Sequence, residues 1–168
     1  MNKRTLDAIW DQTRQKYGVY LRLVEAIPEE KLHSHPVPGM RSPAEVVAHV
    51  SGGIVRDIPQ GIASGAVAAS EDERAIAKGF KKRADAIAYA RKCWKDADAT
   101  MTKLTDEKLG GVVNAWGVSM PGAALVNILN DELVHHRGQL YTFARALGAE
   151  PPFVWSHGDN ASEFAPKA

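Results

Sequence analysis

Apolar residues recur every three to four positions through four long stretches of this chain, and proline or glycine punctuates the gaps between them. Leu6, Ile9, Trp10, Thr13, Tyr17, Tyr20, Leu21 and Val24 predict a helix over residues 4–26, stopped by Pro28. After a proline-rich loop over 28–40, Ser42, Pro43 and Glu45 supply a cap, a first-turn proline and the acid of a capping box. Val46, Val47, Val50 and Ile54 then form an apolar face with His49 among them, and this second helix is expected to weaken after Gly52-Gly53 and to bend or stop near Pro59. Small residues over 61–70 suit a connection at the end of a bundle. Ile76, Phe80, Ile87, Trp94 and Met101 predict a third helix from Glu71 to Met101, which at 1.5 Å per residue would be about 40 Å long. Gly110-Gly111 through Gly117 breaks the pattern, and a fourth helix runs from near Pro121, with Ser119 as a candidate cap, to a left-handed C-cap at Gly148. No glycine-rich loop follows a strand and no alternating β pattern persists. The expected fold is therefore all-α, a four-helix bundle forming a single domain over 1–168, with a C-terminal tail at 153–168 that packs on or near the bundle as an extended segment or lid.

Composition narrows the function classes. With 45% hydrophobic and 24% charged residues the 168-residue chain reads as an ordinary globular domain. Lys+Arg 21 against Asp+Glu 20 leaves a net charge of +1, which gives no electrostatic reason to expect nucleic acid or membrane as partner. The N-terminus lacks a signal-peptide core and no apolar run approaches the ~18 residues that span a bilayer, so a cytoplasmic location is expected. Cys93 is the only cysteine, which excludes an internal disulfide and a cysteine-rich zinc site, and its apolar surroundings predict core filling.

The chemistry concentrates in the fourth helix. Glu132 and His136 are one turn apart, so their side chains lie one above the other and can reach a common ion. On a helical wheel Leu125, Ile128, Leu129, Gln139 and Phe143 fall within about 60° of Glu132, and His136 about 40° from it, which places both polar groups in the apolar stripe. Burying a carboxylate there costs several kcal/mol unless an opposite charge or a metal compensates it. Asp131 and His135 form a competing pair nearer the edge of the stripe, suited to a rim or a neighbouring helix. His49 is the third candidate ligand, provided the second and fourth helices face each other. Arg137 points about 140° away from Glu132 and is expected to pair with an acid outside the pocket. Trp10, Tyr17 and Tyr20 suit either a dimer interface or an aromatic core.

Arg41-Ser42-Pro43-Ala44-Glu45-Val46-Val47-Ala48-His49-Val50, with Asp131-Glu132-Leu133-Val134-His135-His136-Arg137-Gly138-Gln139-Leu140-Tyr141, Arg145-Ala146-Leu147-Gly148 and Pro151-Pro152, resembles the DinB/YfiT-like family of metal-binding four-helix proteins over nearly the whole chain. The resemblance implies a divalent cation, zinc or nickel ahead of manganese or iron, held by one histidine of the second helix and two positions four apart in the fourth: His49, Glu132 and His136. Glu132 stands where many relatives have histidine, which makes the donor set harder and more anionic. His135 reads either as a group that orients a ligand or lines the entrance or as a surface or dimer-contact histidine, and Gln139 either as a support for His136 or as an ordinary core hydrogen-bonding residue. The family further implies a metal-dependent thiol S-transferase that takes a low-molecular-weight thiol or other small-molecule substrate and works as a homodimer. The alternatives are a metal-dependent hydrolase and a non-enzymatic metal-binding stress-response protein.

Overall fold

The computed structural model describes residues 1–68 and 71–166, which form an all-α bundle with one short hairpin. Helix α1 (Lys3–Ala26) begins where the Asn2 side chain accepts a hydrogen bond from the Thr5 amide, and ends at Ile27, ahead of Pro28. Its stripe of Leu6, Trp10, Tyr17, Leu21 and Val24 is buried. Trp10 stacks on Trp94 with centroids 4.6 Å apart and planes 6° from parallel, and Tyr17 packs on the same indole at 4.9 Å. Such pairs add roughly 0.5–1.5 kcal/mol to the burial of the rings. Tyr20 is fully buried too, so the three aromatics of α1 belong to the core.

The second rod is helical from Pro43 to Ser64 but changes its winding twice. Helix α2 (Pro43–Ala48) opens on the expected capping box: the Ser42 hydroxyl accepts from the Glu45 amide at 3.2 Å and the Glu45 carboxylate accepts from the Ser42 amide at 2.8 Å. A π-helical segment, His49–Arg56, follows, and α3 (Asp57–Ser64) completes the rod. The weakening expected at Gly52-Gly53 therefore takes the form of wider winding instead of a break. Pro59 does not end the rod: it falls in the first turn after π winding gives way to α winding, where its missing N–H costs least. Gly65, at φ +93°, ends α3, and its carbonyl accepts from the Asn114 amide. Residues 69 and 70, the end of the connection expected over 61–70, lie outside the described residues.

The third helix is not continuous. Helix α4 (Glu73–Gly79) stops, Phe80 turns extended at ψ 102°, and α5 (Arg83–Met101) starts afresh. The break has local causes. Gly79 weakens the end of α4, and the Asp85 carboxylate accepts from the Lys81 and Lys82 amides, capping the new N-terminus. Phe80 turns inward against Tyr89 with centroids 5.5 Å apart.

A short helix α6 (Asp106–Gly110) leads into an antiparallel hairpin, β1 (Val112–Ala115) and β2 (Val118–Pro121), paired from Val112 with Pro121 to Ala115 with Val118. These strands depart from the expectation of no β structure. They are four residues each, too short for an alternating pattern to register. Their turn is Trp116-Gly117, with φ +51° and +82°. Helix α7 (Gly122–Ala146) follows without a side-chain cap; Ser119 instead donates across the hairpin to Asn114 at 2.6 Å. Gly148 takes φ +81°, as its C-cap position requires.

The tail lies along α1. Arg22 donates to the Ser156 carbonyl at 2.8 Å, Asn160 to the Gln15 carbonyl at 2.9 Å, and Phe164 is buried beside Tyr17 and Trp94. Gly18 makes this docking close, since a Cβ there would sit 2.5 Å from the Asn160 amide nitrogen and 2.6 Å from Phe164 Cβ. Lys167 and Ala168 lie outside the described residues.

Candidate metal centre

The π-helical segment and α7 face each other, which brings His49 opposite the Glu132–His136 turn. Glu132 Oε2 lies 3.2 Å from His136 Nε2 and 3.8 Å from His49 Nε2. The two imidazoles meet edge to face, with centroids 4.8 Å apart and planes at 79°. Donor atoms of the three residues all fall within 4.8 Å of one another, so among the described residues they form a group that could hold a metal ion. Tetrahedral coordination with bonds near 2.0–2.1 Å needs donors about 3.3 Å apart, so small side-chain rotations would close this triangle.

Hydrogen bonds on the far nitrogens aim the rings. His49 Nδ1 is 2.6 Å from Glu73 Oε1, and His136 Nδ1 is 2.7 Å from Gln139 Oε1. With Nδ1–H donating in each case, Nε2 is left as the lone-pair atom turned toward Glu132. Gln139 in turn donates from Nε2 to His135 Nε2 at 3.1 Å. His135 and Gln139 thus serve the site indirectly, while Asp131 is exposed and outside it. Burial, joined by the nearby His49 and His135 and opposed by the Gln139 hydrogen bond and Glu132, lowers the His136 pKa below that of a free histidine. That keeps the ring neutral near pH 7, the form a metal requires.

Glu73 is the supporting residue that sequence reasoning misses. It sits at the first position of α4, 24 residues from His49, and no periodicity connects the two. Arg41 also reaches its carboxylate, at 3.4 Å. Gly53 makes room for the pair: a Cβ there would stand 3.1 Å from Glu73 Oε1 and 3.8 Å from His49 Nδ1.

Glu132 is less enclosed than the wheel suggests. Its side chain is 38% exposed, against 5% for His136, because a cavity of about 230 Å³ opens between α7 and the π-helical segment at this turn. His49, Gly53, Ile54, Glu73, Trp116, Ile128 and Glu132 line it. Among the described residues the tail contributes nothing to this lining; Trp116 of the hairpin turn is the tryptophan at the cavity. Arg137 also departs from expectation. It is buried where α7 packs on α1, with Lys16 nearby and no acid in ion-pair reach among the described residues, and its Nη1 has no hydrogen-bond partner. Arg145 lies over the Tyr141 ring of its own helix at 5.7 Å.

Comparison with known proteins places this geometry in context. The sequence profile of the DinB superfamily matches residues 12–140. Three solved structures share the fold. The DinB-like protein YjoA of Bacillus subtilis is 23% identical with a TM-score of 0.64, over 81% of this chain and 89% of its own. A DinB-like protein of Bacillus cereus is 21% identical with a TM-score of 0.65, over 86% and 93%. A putative DinB-family member of Exiguobacterium sibiricum is 23% identical with a TM-score of 0.56, over 86% and 95%. No curated protein matches the chain. Among the described residues no helix is long and apolar enough to cross a membrane.

Proposed function

The chain belongs to the DinB superfamily, and from that premise we propose that His49, Glu132 and His136 hold a divalent cation and that the loaded protein transfers a small thiol to an electrophile. One observation carries the reading: both imidazoles have Nδ1 tied down, by Glu73 and Gln139, so that both Nε2 atoms turn toward a single carboxylate oxygen. Side chains arranged only for packing have no need of that convergence. Glu132 supplies the negative charge that two neutral histidines lack. It acts as a ligand, not as a general base, because its Oε2 is the atom both histidines face.

Three protein donors leave at least one coordination position open, and a cation there lowers the pKa of a thiol or water taken up beside it. A thiol is the better candidate on this wall. Its free pKa near 8.5 lies about seven units below that of water, so it needs far less activation. The cavity also offers no spare base, since Glu73 is already engaged by His49 and Arg41. In the transfer the thiol would lose its proton to solvent, its sulfur would bond to an electrophilic carbon, and the leaving group would depart with the electron pair of the bond that breaks. We read the whole chain as one domain, tail included, because Phe164 completes the aromatic core of α1 and α5. A zinc or nickel ion, a cytoplasmic setting and a homodimer complete the proposal.

Cobalt(II) substitution tests it. Adding a small thiol is expected to produce a sulfur-to-cobalt charge-transfer band at stoichiometric metal. A cobalt-loaded protein whose spectrum ignores millimolar thiol would point instead to a hydrolase or a non-catalytic metal binder.

A further inference from the structure

Trp116 stands in a place that folding alone does not explain. It is the first central residue of a two-residue hairpin turn, at φ +51°, followed by Gly117 at φ +82°. Two successive positive φ values make a type I′ turn, whose first position favours Asn, Asp or Gly because a larger side chain crowds its own backbone there. Residues held in this region carry a cost on the order of 1–3 kcal/mol, and they cluster at functional sites. Trp116 is the only non-glycine residue with positive φ among the described residues. Its indole is not part of the buried core: it is 51% exposed and, unlike Trp10 and Trp94, stacks on no other ring among the described residues.

The indole lines the cavity beside the candidate metal centre. Ile54 of the π-helical segment and Ile128 of α7 extend the apolar part of that lining, next to the polar part made by His49, Glu73 and Glu132. At about 230 Å³ the cavity falls below the ~300–1,000 Å³ typical of whole-ligand pockets, so it admits one end of a small molecule. A donor atom over His49, Glu132 and His136 would have its adjoining carbon group against Trp116.

We infer that Trp116 is a specificity-determining residue, recognising an aryl or branched-alkyl group carried by the small molecule that binds at the His49–Glu132–His136 site. The inference rests on the metal reading above and adds the chemical class of the ligand: a donor atom joined to a compact apolar group. Trp116 touches that group and takes no part in bond making.

The test compares two thiols on the cobalt(II)-loaded protein, phenylmethanethiol and 2-mercaptoethanol, each titrated against the charge-transfer band. The wild-type protein is expected to bind the aryl thiol tenfold or more tighter, about what burying part of a ring supplies. In Trp116→Asn, whose side chain suits the turn, the preference is expected to fall to about threefold or less while 2-mercaptoethanol binding stays unchanged. Trp116→Phe is expected to retain most of it. Equal affinities in the wild type, or an undiminished preference in Trp116→Asn, would overturn the inference and leave the metal reading standing. Absence of a thiol-dependent band from every protein would overturn thiol binding itself, and this inference with it.

Discussion

A hydrogen-bonded histidine is a different ligand from a free one. His49 has its Nδ1 held by Glu73, and His136 by Gln139, and the two partners are not equivalent. A carboxylate fixes the tautomer and also raises the basicity of the ring, whereas an amide mainly fixes it. Replacing Glu73 with Gln is therefore expected to weaken metal binding about 10–100-fold without unfolding the chain, measured by competition with a chromophoric chelator; affinity within about twofold of wild type would show that Glu73 is a bystander. The three proposed ligands could be named as candidates from sequence because Glu132 and His136 are four apart on a strongly patterned helix and His49 interrupts an apolar face. Glu73 was not, because only the packing of α4 against the second rod brings it to His49. The buried, acid-free setting of Arg137 was equally hidden: a wheel shows which way a residue points but not that the neighbouring helix offers Lys16 there.

Elements were legible where a side chain marks their ends. Ser42 with Glu45, and Gly148, fixed their helix termini in sequence and in space. The split between α4 and α5 left no such mark, since Phe80 fits the helical repeat whether it continues a helix or plugs a corner. The hairpin hid behind its own turn, because Trp116 occupies the position where asparagine would have announced it. The tail depends on a contact of the same hidden kind. Glycine to alanine inside a helix ordinarily stabilises by up to ~1 kcal/mol, but at Gly18 the new methyl would enter Asn160 and Phe164. Gly18→Ala is thus expected to destabilise by roughly 1–3 kcal/mol and to expose the tail to proteolysis. A melting temperature equal to or above the wild type's would contradict the docking of the tail on α1.

Across the whole molecule, the bundle followed from periodicity, while the side on which the tail lies and the opening beside Glu132 emerged only from how the rods assemble. The tail's placement gives the fold a dependence on pH. His157 bonds through Nδ1 to Gln15, and its buried Nε2 has no partner. Desolvation, then the charges of Arg137 and Lys16, lower its pKa below 6.5. Protonation is thereby disfavoured in the folded state. The stability tied to this group is present above about pH 6.5 and lost as the pH falls through the lowered value. In metal-free protein the decline in melting temperature between pH 7 and 5 should be shallower in His157→Gln than in wild type; parallel slopes would remove His157 from the account. The central claim is that imidazoles from two rods and the carboxylate between them form one cation site. Metal content measured on protein purified without an affinity tag, reloaded and desalted, tests it most directly. One ion per chain is expected in the wild type, with loss of that ion from His49→Ala, Glu132→Ala and His136→Ala proteins that keep their helical circular dichroism. Stoichiometric metal retained by all three folded variants would contradict it.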